Sequence, residues 1–255
     1  MLKNISWLSS RQLNRVAAAV TTNGVKRREI IIGDGHSPGS AYVLLSGAAR
    51  ITCRNRKGDL ILVIMVAPGV IPGFPPPVPG ISYNFRCEAI TECQVGIIDL
   101  KSFIEVSLGI TLEDFKRMVV GCRGRWDLVQ LRCANFMSCT LEERLALILL
   151  ELSDNFGFDE KRGTRLTVPA RHKDLADLMG ASRPRVTEFL IQFERDHFII
   201  RDERHSIMRR DRLDNFLAES QSRAPKETYF SSGINMAAPS APPRTSLRNS
   251  CTPRS

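Results

Sequence analysis

The sequence predicts an α+β fold with an N-terminal antiparallel, jelly-roll-like β-roll, a long helix and a C-terminal winged helix-turn-helix. Short apolar runs separated by turn residues fill the first hundred residues, a heptad-spaced apolar row follows, and two short helices meet at a glycine near position 180. Short strands at this spacing are typical of antiparallel rolls. We expect four parts, namely a roll (1–108), a long helix (109–138), a winged helix-turn-helix (139–220) and a disordered tail (221–255).

A short amphipathic helix over residues 1 to about 20 is expected to precede the roll. Its apolar side chains are Ile5, Leu8, Leu13 and Val16. From about Val25 to Phe103 the pattern is that of short strands, and turns that contain glycine separate them. The predicted strands are Ile30–Ile32, Tyr42–Leu45, Ala49–Cys53, Leu60–Val66 and Val95–Ile98.

A long helix is predicted over roughly residues 111–136, and a second one over about 140–155. Seven positions on the long helix follow a spacing of four and three residues: Phe115, Val119, Cys122, Trp126, Val129, Cys133 and Phe136. We call this row the seam. A heptad seam predicts a two-fold interface between two copies of the chain, and packing on the helix's own domain is the alternative. On such an axis Cys122 and Cys133 would face their own copies, so a redox-sensitive interchain disulfide is a further possibility.

The helix-turn-helix is predicted from the segment between Val168 and Met208. Apolar residues at helical spacing end at Gly180, a residue type that tolerates the left-handed conformation of a helix stop. Ser182 is expected to cap the second helix, with Pro184 in its first turn. Two short strands then form a wing, Phe198–Ile200 and Ser206–Met208, around the polar turn Arg201–His205.

A helix-turn-helix presents the start of its second helix to base edges in the major groove, so double-stranded DNA is the expected partner. Arg183 is expected to read a guanine through O6 and N7, with Arg185 and Glu188 as candidates for neighbouring bases. Thr187 is a further candidate contact. Phosphate contacts are expected close to helix N-termini, at Arg171, His172, Lys173 and Ser182. A winged helix that serves only as a scaffold for protein contacts is the alternative.

Composition supports a nucleic-acid partner and argues against several other classes. The 255 residues carry a net charge of +9, which favours polyanions. No apolar run is long enough for a bilayer, and the N-terminus lacks a signal-peptide pattern, so no membrane partner and a cytoplasmic location are expected. Seven cysteines without a regular framework indicate reduced thiols. The motifs of serine hydrolases, P-loop proteins, dinucleotide enzymes and zinc proteases are missing, so no enzyme is expected.

The chain resembles the Crp/Fnr superfamily of bacterial transcription regulators over about residues 5–215. The resemblance rests on the turn glycines of the roll, the long helix, the motif Glu143-Arg144-Leu-Ala-X3-Leu150, and Gly180-Ala-Ser182-Arg183-X2-Val186. It implies an effector domain like those that bind cyclic nucleotides, a dimerisation helix, and a DNA-binding domain that acts as a homodimer on a two-fold operator. RNA polymerase is a further implied partner if the protein is an activator.

The chain departs from the family where cyclic nucleotides bind. Members that bind them carry Gly-Glu, followed about ten residues later by Arg-Ser/Thr-Ala, and the Arg pairs with the cyclic phosphate. Here Gly73 matches, but Phe74 replaces Glu, Tyr83 and Asn84 replace Arg and Ser, and Arg86 is out of register. We therefore expect neither cAMP nor cGMP to act through this pocket, and the effector is unknown.

No cofactor and no metal are expected. A metal or cluster on Cys53, Cys87 and Cys93, or haem on His36, is an alternative to plain packing and solvation. Cysteines on strands are more often small core residues.

Overall fold

The computed structural model describes residues 17–35, 39–69, 82–102, 111–202 and 205–223, together with Asn14 and Glu105. Residues 17–19 are helical, as expected, whereas Ile5, Leu8, Leu13 and Val16 lie outside the described residues. Seven strands then form the roll. They are β1 (Thr21–Val25), β2 (Ile30–Ile32), β3 (Ser40–Ser46), β4 (Ala49–Arg54), β5 (Leu60–Val66), β6 (Arg86–Ala89) and β7 (Cys93–Asp99).

The roll consists of two antiparallel sheets, in the strand orders β1-β7-β3 and β2-β6-β4-β5. Side chains from both sheets share one core, which includes Ile32, Leu44, Val66 and Val95. The β3–β4 turn requires glycine at Gly47, because its φ is +86° and a Cβ there would lie 2.3 Å from the Glu92 carbonyl oxygen. The predicted antiparallel roll is therefore confirmed.

All five predicted strands of the roll are present, β2 and β5 with the predicted bounds. Strands β1 and β6 were not predicted. The β1 sequence TTNGV lies at a sheet edge with four of its five residues exposed, so it lacks the apolar alternation that marks a buried strand. Strand β6 is only four residues long, and its buried side chains, Cys87 and Ala89, are small.

Two long helices follow the roll, α1 (Leu112–Ser138) and α2 (Leu141–Phe156), each within two residues of its predicted range. A capping box starts α2: the Glu143 backbone N–H donates to the Thr140 hydroxyl, and the Glu143 carboxylate accepts from the Thr140 backbone N–H. No helix in the described part of the chain is long and apolar enough to cross a membrane.

The C-terminal part contains the predicted helix pair, α3 (His172–Met179) and α4 (Arg183–Arg195), and the predicted wing, β10 (Ile199–Asp202) and β11 (His205–Met208). The predicted turn Arg201–His205 is too long, because backbone pairing continues to the Asp202–His205 pair. The wing joins a hairpin that was not predicted, β8 (Gly157–Glu160) and β9 (Gly163–Leu166), in the order β10-β11-β9-β8. Mostly polar residues and glycines make up this hairpin, which hides its strand character.

A last helix, α5 (Arg210–Arg223), was also missed. It contributes the fully buried Leu213 to the core of the C-terminal part, with Phe216 and Leu217 packed beside it. Because α5 ends at Arg223, residues 221–223 are helical and the predicted start of the tail at 221 is wrong. The rest of the predicted tail, 224–255, lies outside the described residues.

Arg144 joins the ends of two helices to the start of a third. From the first turn of α2, its guanidinium donates to the carbonyl oxygens of Phe136 (2.6 Å), Cys139 (3.1 Å) and Met179 (3.4 Å), and it stacks 5.1 Å from the Phe136 ring centroid. Those carbonyls belong to the C-terminal ends of α1 and α3, where a cation is favourable. Arg144 therefore fixes α3 relative to the long helix.

We expect Arg144→Met to lower the free energy of unfolding by about 2–4 kcal/mol, since it leaves several carbonyl groups without their charged donor. Denaturant unfolding followed by circular dichroism measures the loss. Arg162→Met is the matched control: its ion pair with Asp202 is solvent-exposed, so a change below about 1 kcal/mol is expected. Equal effects of the two substitutions would contradict the role of Arg144.

Candidate nucleic-acid interface

The turn between α3 and α4 is built on Gly180. This residue has φ 65° and ψ 37°, and the N–H of Ala181 donates to the Ala176 carbonyl at 3.0 Å. A Cβ at position 180 would approach the Phe136 ring to 2.8 Å. Both the backbone conformation and the lack of space therefore require glycine, and the turn sets the angle between the two helices.

The start of α4 is as predicted in position but not in its hydrogen bonding. Ser182 is the N-cap residue, with φ −76° and ψ 147°, and Pro184 lies in the first turn. The expected side-chain cap is wrong, since Ser182 makes no side-chain cap hydrogen bond. Its hydroxyl is exposed at the helix start, together with the backbone N–H groups that point out of the first turn.

Helix α4 has a buried face and an exposed face, as its sequence predicts. Val186, Phe189, Leu190 and Phe193 are buried. Arg183, Arg185 and Glu188 are exposed, and Thr187 is half-buried. The predicted base-reading residues are thus all exposed in the first two turns of α4, and we call this set the reading face (Arg183, Arg185 and Glu188).

Arg185 is held in place by its own helix. Its guanidinium donates to the Glu188 carboxylate at 2.8 Å and lies 4.5 Å from the centroid of the Phe189 ring. Both contacts form between neighbouring turns of α4, where side chains three and four residues apart meet. The spacing of three residues could have revealed this pair, but Arg185 and Glu188 were predicted only as separate base contacts.

His172 connects the start of α3 to α4. The Thr187 hydroxyl donates to the Arg183 carbonyl at 3.0 Å, so at 2.9 Å it accepts a hydrogen bond from Nδ1 of His172. This leaves Nε2 as the proton-accepting nitrogen of the neutral ring. Burial, together with the positive charges of Arg201 and Arg183, lowers the pKa of His172, while Glu194 opposes the shift.

Further positively charged side chains lie near the contact between His172 and Thr187. Arg171 is the N-cap residue of α3, and both Arg171 and Lys173 are exposed. On the wing, Arg201 pairs with Glu194 of α4, which ties the wing to the helix that carries the reading face. The predicted phosphate-contacting residues therefore lie beside the reading face, around the N-termini of α3 and α4.

The described side chains of the seam on α1 are exposed to solvent. Phe115, Val119, Val129 and Phe136 are each 40–50% exposed, and Cys133 is exposed as well. The side chains of Cys122 and Trp126 lie outside the described residues. Four large apolar side chains in a row that remain half exposed are unusual on an unpartnered helix.

The predicted effector pocket is described only in part. Gly73 and Phe74 lie outside the described residues. Tyr83 is buried in the core of the roll, and burial raises its pKa to about 12. Asn84 is exposed, and the guanidinium of Arg86 pairs with the Glu88 carboxylate at 3.1 Å. Arg86, the arginine that follows the predicted cassette, therefore already has a carboxylate partner.

The described cysteines are free thiols: Cys53, Cys87, Cys93, Cys133 and Cys139. Burial raises the pKa of Cys87 to about 12, which makes it a poor metal ligand and a poor nucleophile. In the described part of the chain, no three His, Cys, Asp or Glu side chains group as metal ligands. His36, the candidate haem ligand, lies outside the described residues.

Models of known protein families match both the N-terminal and the C-terminal part of the chain. A cyclic nucleotide-binding domain model matches residues 23–108, and a Crp-like helix-turn-helix domain model matches residues 143–216. Among solved structures, FixK2 from Bradyrhizobium japonicum is similar, with 22% identity, a TM-score of 0.65, and coverage of 77% of this chain and 96% of FixK2.

Two further structures are similar at comparable coverage. TTHB099, a CRP-family transcriptional regulator from Thermus thermophilus, is 24% identical with a TM-score of 0.63, over 77% of this chain and 96% of its own. The c-di-GMP responsive global regulator CLP from Xanthomonas campestris is 16% identical with a TM-score of 0.61, over 78% and 99%.

No curated protein matches the chain by sequence. The two domain models match in the order that the sequence predicts, on either side of the long helix, and the structure has the architecture of the similar solved proteins. The chain therefore belongs to the Crp/Fnr superfamily and has the fold of its DNA-binding transcription regulators.

Proposed function

We propose that the protein is a sequence-specific DNA-binding transcription regulator that acts as a homodimer on a two-fold operator. The observation that carries this proposal is the reading face: two arginines and a glutamate exposed at the start of α4, directly after a glycine turn that only glycine fits. This is the part of a helix-turn-helix that enters the major groove.

Base reading is divided between a lone arginine and an ion pair. Arg183, one residue after the N-cap, reads guanine through O6 and N7, the commonest specific contact of arginine. Glu188 accepts a hydrogen bond from the N4 amino group of cytosine, and the Arg185 guanidinium, held at 2.8 Å, orients the carboxylate. The operator is therefore expected to contain guanine and cytosine in each half-site.

Backbone contacts come from the positive residues beside the reading face. Arg171 and Lys173 neutralise phosphates and release counterions, so affinity falls as salt rises. Protonated His172 donates from Nε2 to a phosphate oxygen, because its Nδ1 is engaged by Thr187. Ser182 adds its exposed hydroxyl at the N-terminus of α4.

The exposure of the seam's described side chains supports dimerisation through it. Phe115, Val119, Val129 and Phe136 present apolar surface along one side of α1, and burying them against a second copy is worth about 25 cal/mol per Å² of apolar area. An apolar groove of about 260 Å³ between α1 and α2, lined by Leu131, Phe136 and Ile148 among others, extends this surface. A two-fold axis along α1 gives two reading faces for two half-sites.

The effector pocket does not favour cyclic nucleotides. A cyclic phosphate buried without a cation keeps an uncompensated charge, which costs several kcal/mol. Tyr83 occupies the core, and Arg86 is already paired with Glu88. We propose that neither cAMP nor cGMP is needed for DNA binding, and that RNA polymerase is a partner if the protein activates transcription.

We expect Arg183→Ala to weaken binding to the operator, selected from a random DNA pool by the wild-type protein, by about 1–3 kcal/mol and to flatten the preference at one base pair. Titration of labelled operator and of random DNA measures both effects. Arg162→Ala, an exposed arginine on the β8–β9 turn, is the control and should leave the preference intact. Equal losses on operator and random DNA for Arg183→Ala would show that Arg183 contacts only phosphate.

Val119→Glu and Val129→Glu should each give monomers at micromolar concentration, because a charge on the seam must be buried against its own copy. Operator binding should weaken with the loss of the second half-site. Met137→Glu is the matched control: Met137 is 89% exposed on the same helix but lies off the seam. Sedimentation analysis of the three variants decides the matter, and a monomeric wild type, free and DNA-bound, would refute the dimer.

Affinity for the operator should rise as the pH falls from about 7.5 to about 5.5. Free His172 has a lowered pKa and is neutral at the upper end, whereas a phosphate beside Nε2 raises its pKa in the complex, so binding takes up a proton. The window lies between the lowered pKa of the free protein and the raised pKa of the complex. His172→Gln, which keeps a donor for Thr187, should reduce this slope. An unchanged slope would exclude His172 as the proton acceptor.

A further inference from the structure

A buried ion pair joins the roll to the helix-turn-helix. The Arg50 guanidinium on β4 donates from Nη1 to Oδ1 of Asp174 on α3 at 3.1 Å, and the two side chains are 16% and 6% exposed. The residues are 124 positions apart in the chain, so this contact connects the two domains directly.

A second acidic residue of α3 contacts β5, which forms a hairpin with β4. The backbone N–H of Leu62 on β5 donates to Oδ2 of Asp177 at 3.1 Å. β5 is an edge strand of its sheet, so the carboxylate satisfies an N–H that has no neighbouring strand on that side. Asp174 and Asp177 are three residues apart and share one face of α3, and that face lies against the β4–β5 hairpin.

The long helix holds the same edge. β4 and β5 pair Ile51 with Ile64 and Thr52 with Leu62, so a bulge leaves Val63 without a partner in β4. The Val63 carbonyl accepts from Arg132 of α1, which also pairs with Glu151 of α2. Polar contacts from α1 and from α3 therefore converge on two adjacent residues of β5.

Stability alone does not account for the Arg50–Asp174 pair. Burial raises the pKa of Asp174 even though the Arg50 charge opposes the shift. Within the described structure, Nε of Arg50 and Oδ2 of Asp174 are buried without a hydrogen-bond partner. Buried ion pairs of this kind are often no more stable than apolar replacements, but their directional bonds fix orientation.

This contact leaves the DNA-binding surface open. The reading face on α4 remains exposed while α3 is docked on the roll. In a dimer joined at the seam, the two reading faces must be held at a fixed separation of one DNA turn or a multiple of it. A helix-turn-helix that rotated freely relative to α1 would lose most of the gain from binding two half-sites at once.

We propose that Arg50, Asp174 and Asp177 are positioning residues that hold the helix-turn-helix in its DNA-binding orientation without a bound ligand. We call these three side chains and the Leu62 backbone the clamp. This inference rests on the proposed function as a dimeric DNA-binding regulator. The roll then orients the reading face through side chains of the protein itself. No ligand held by a cation in the effector pocket is needed for this orientation.

The test uses the full-length protein, free of nucleotide, and an operator selected from a random DNA pool by the wild type. The variants are Asp174→Ala and Asp177→Ala, and Asp177→Asn is the matched control, because its amide oxygen still accepts from the Leu62 N–H. Affinity is measured for the complete operator, for a single half-site, and for operators whose half-sites are two base pairs closer or farther apart.

We expect the alanine variants to bind the complete operator about tenfold or more weakly, while single half-site binding changes by less than about twofold. They should also tolerate the altered spacings better than the wild type does. Asp177→Asn should behave as the wild type. Unchanged half-site binding also shows that the helix-turn-helix is folded.

Other results would overturn the clamp. Unchanged operator binding by the alanine variants would show that the contact does not position the reading face, and tighter binding would show that it holds the domain back. Equal losses on the operator and the half-site would reveal a purely structural contact. A wild type that selects no DNA sequence would refute the proposed function itself, and the clamp with it.

Discussion

The arrangement of the helices depends on one cation placed where two helices end. Arg144 donates to carbonyl groups at the C-termini of α1 and α3 and stacks on Phe136, and the Phe136 ring in turn fills the space beside Gly180. Unpaired carbonyls at a helix end carry partial negative charge, so a guanidinium with several donors suits two ends at once. The end of the seam, the start of α2 and the turn before the reading face are thereby joined at a single point.

This junction explains why residues distant in sequence resemble the family together. Glu143 caps α2 while its neighbour Arg144 reaches the end of α3, so Glu143-Arg144 and the segment after Gly180 form one structural unit. A substitution at the end of the seam near Phe136 would therefore directly affect the turn that sets the direction of α4. Most residues that carry the resemblance position the reading face. Of the residues proposed to choose bases, Arg183 belongs to these motifs and Glu188 does not.

Elements with a periodic apolar pattern could be predicted from the sequence, and contacts between domains could not. The strands β2 and β5, both long helices and the helix pair around Gly180 lie close to their predicted ranges, because each carries large apolar side chains at regular spacing. Strand β1 and the β8–β9 hairpin are exposed or polar and escaped detection. The Arg50–Asp174 pair could not be predicted, because the sequence around either residue gives no information about the other. From helix spacing alone, Asp174 would be taken for a solvated charge.

Prediction of the candidate site from the sequence has the same limit, because it misses contacts between separate elements. Spacing placed Arg183, Arg185 and Glu188 outside the buried apolar row of α4, since a helix repeats every 3.6 residues. It did not show that Thr187 turns inward to bond His172, because that contact depends on the angle between α3 and α4. That angle is set by the turn at Gly180, whereas the β4–β5 hairpin holds α3 against the roll through Asp174 and Asp177. The orientation of the reading face relative to the roll therefore depends on contacts between residues far apart in the chain, which no local sequence pattern reveals.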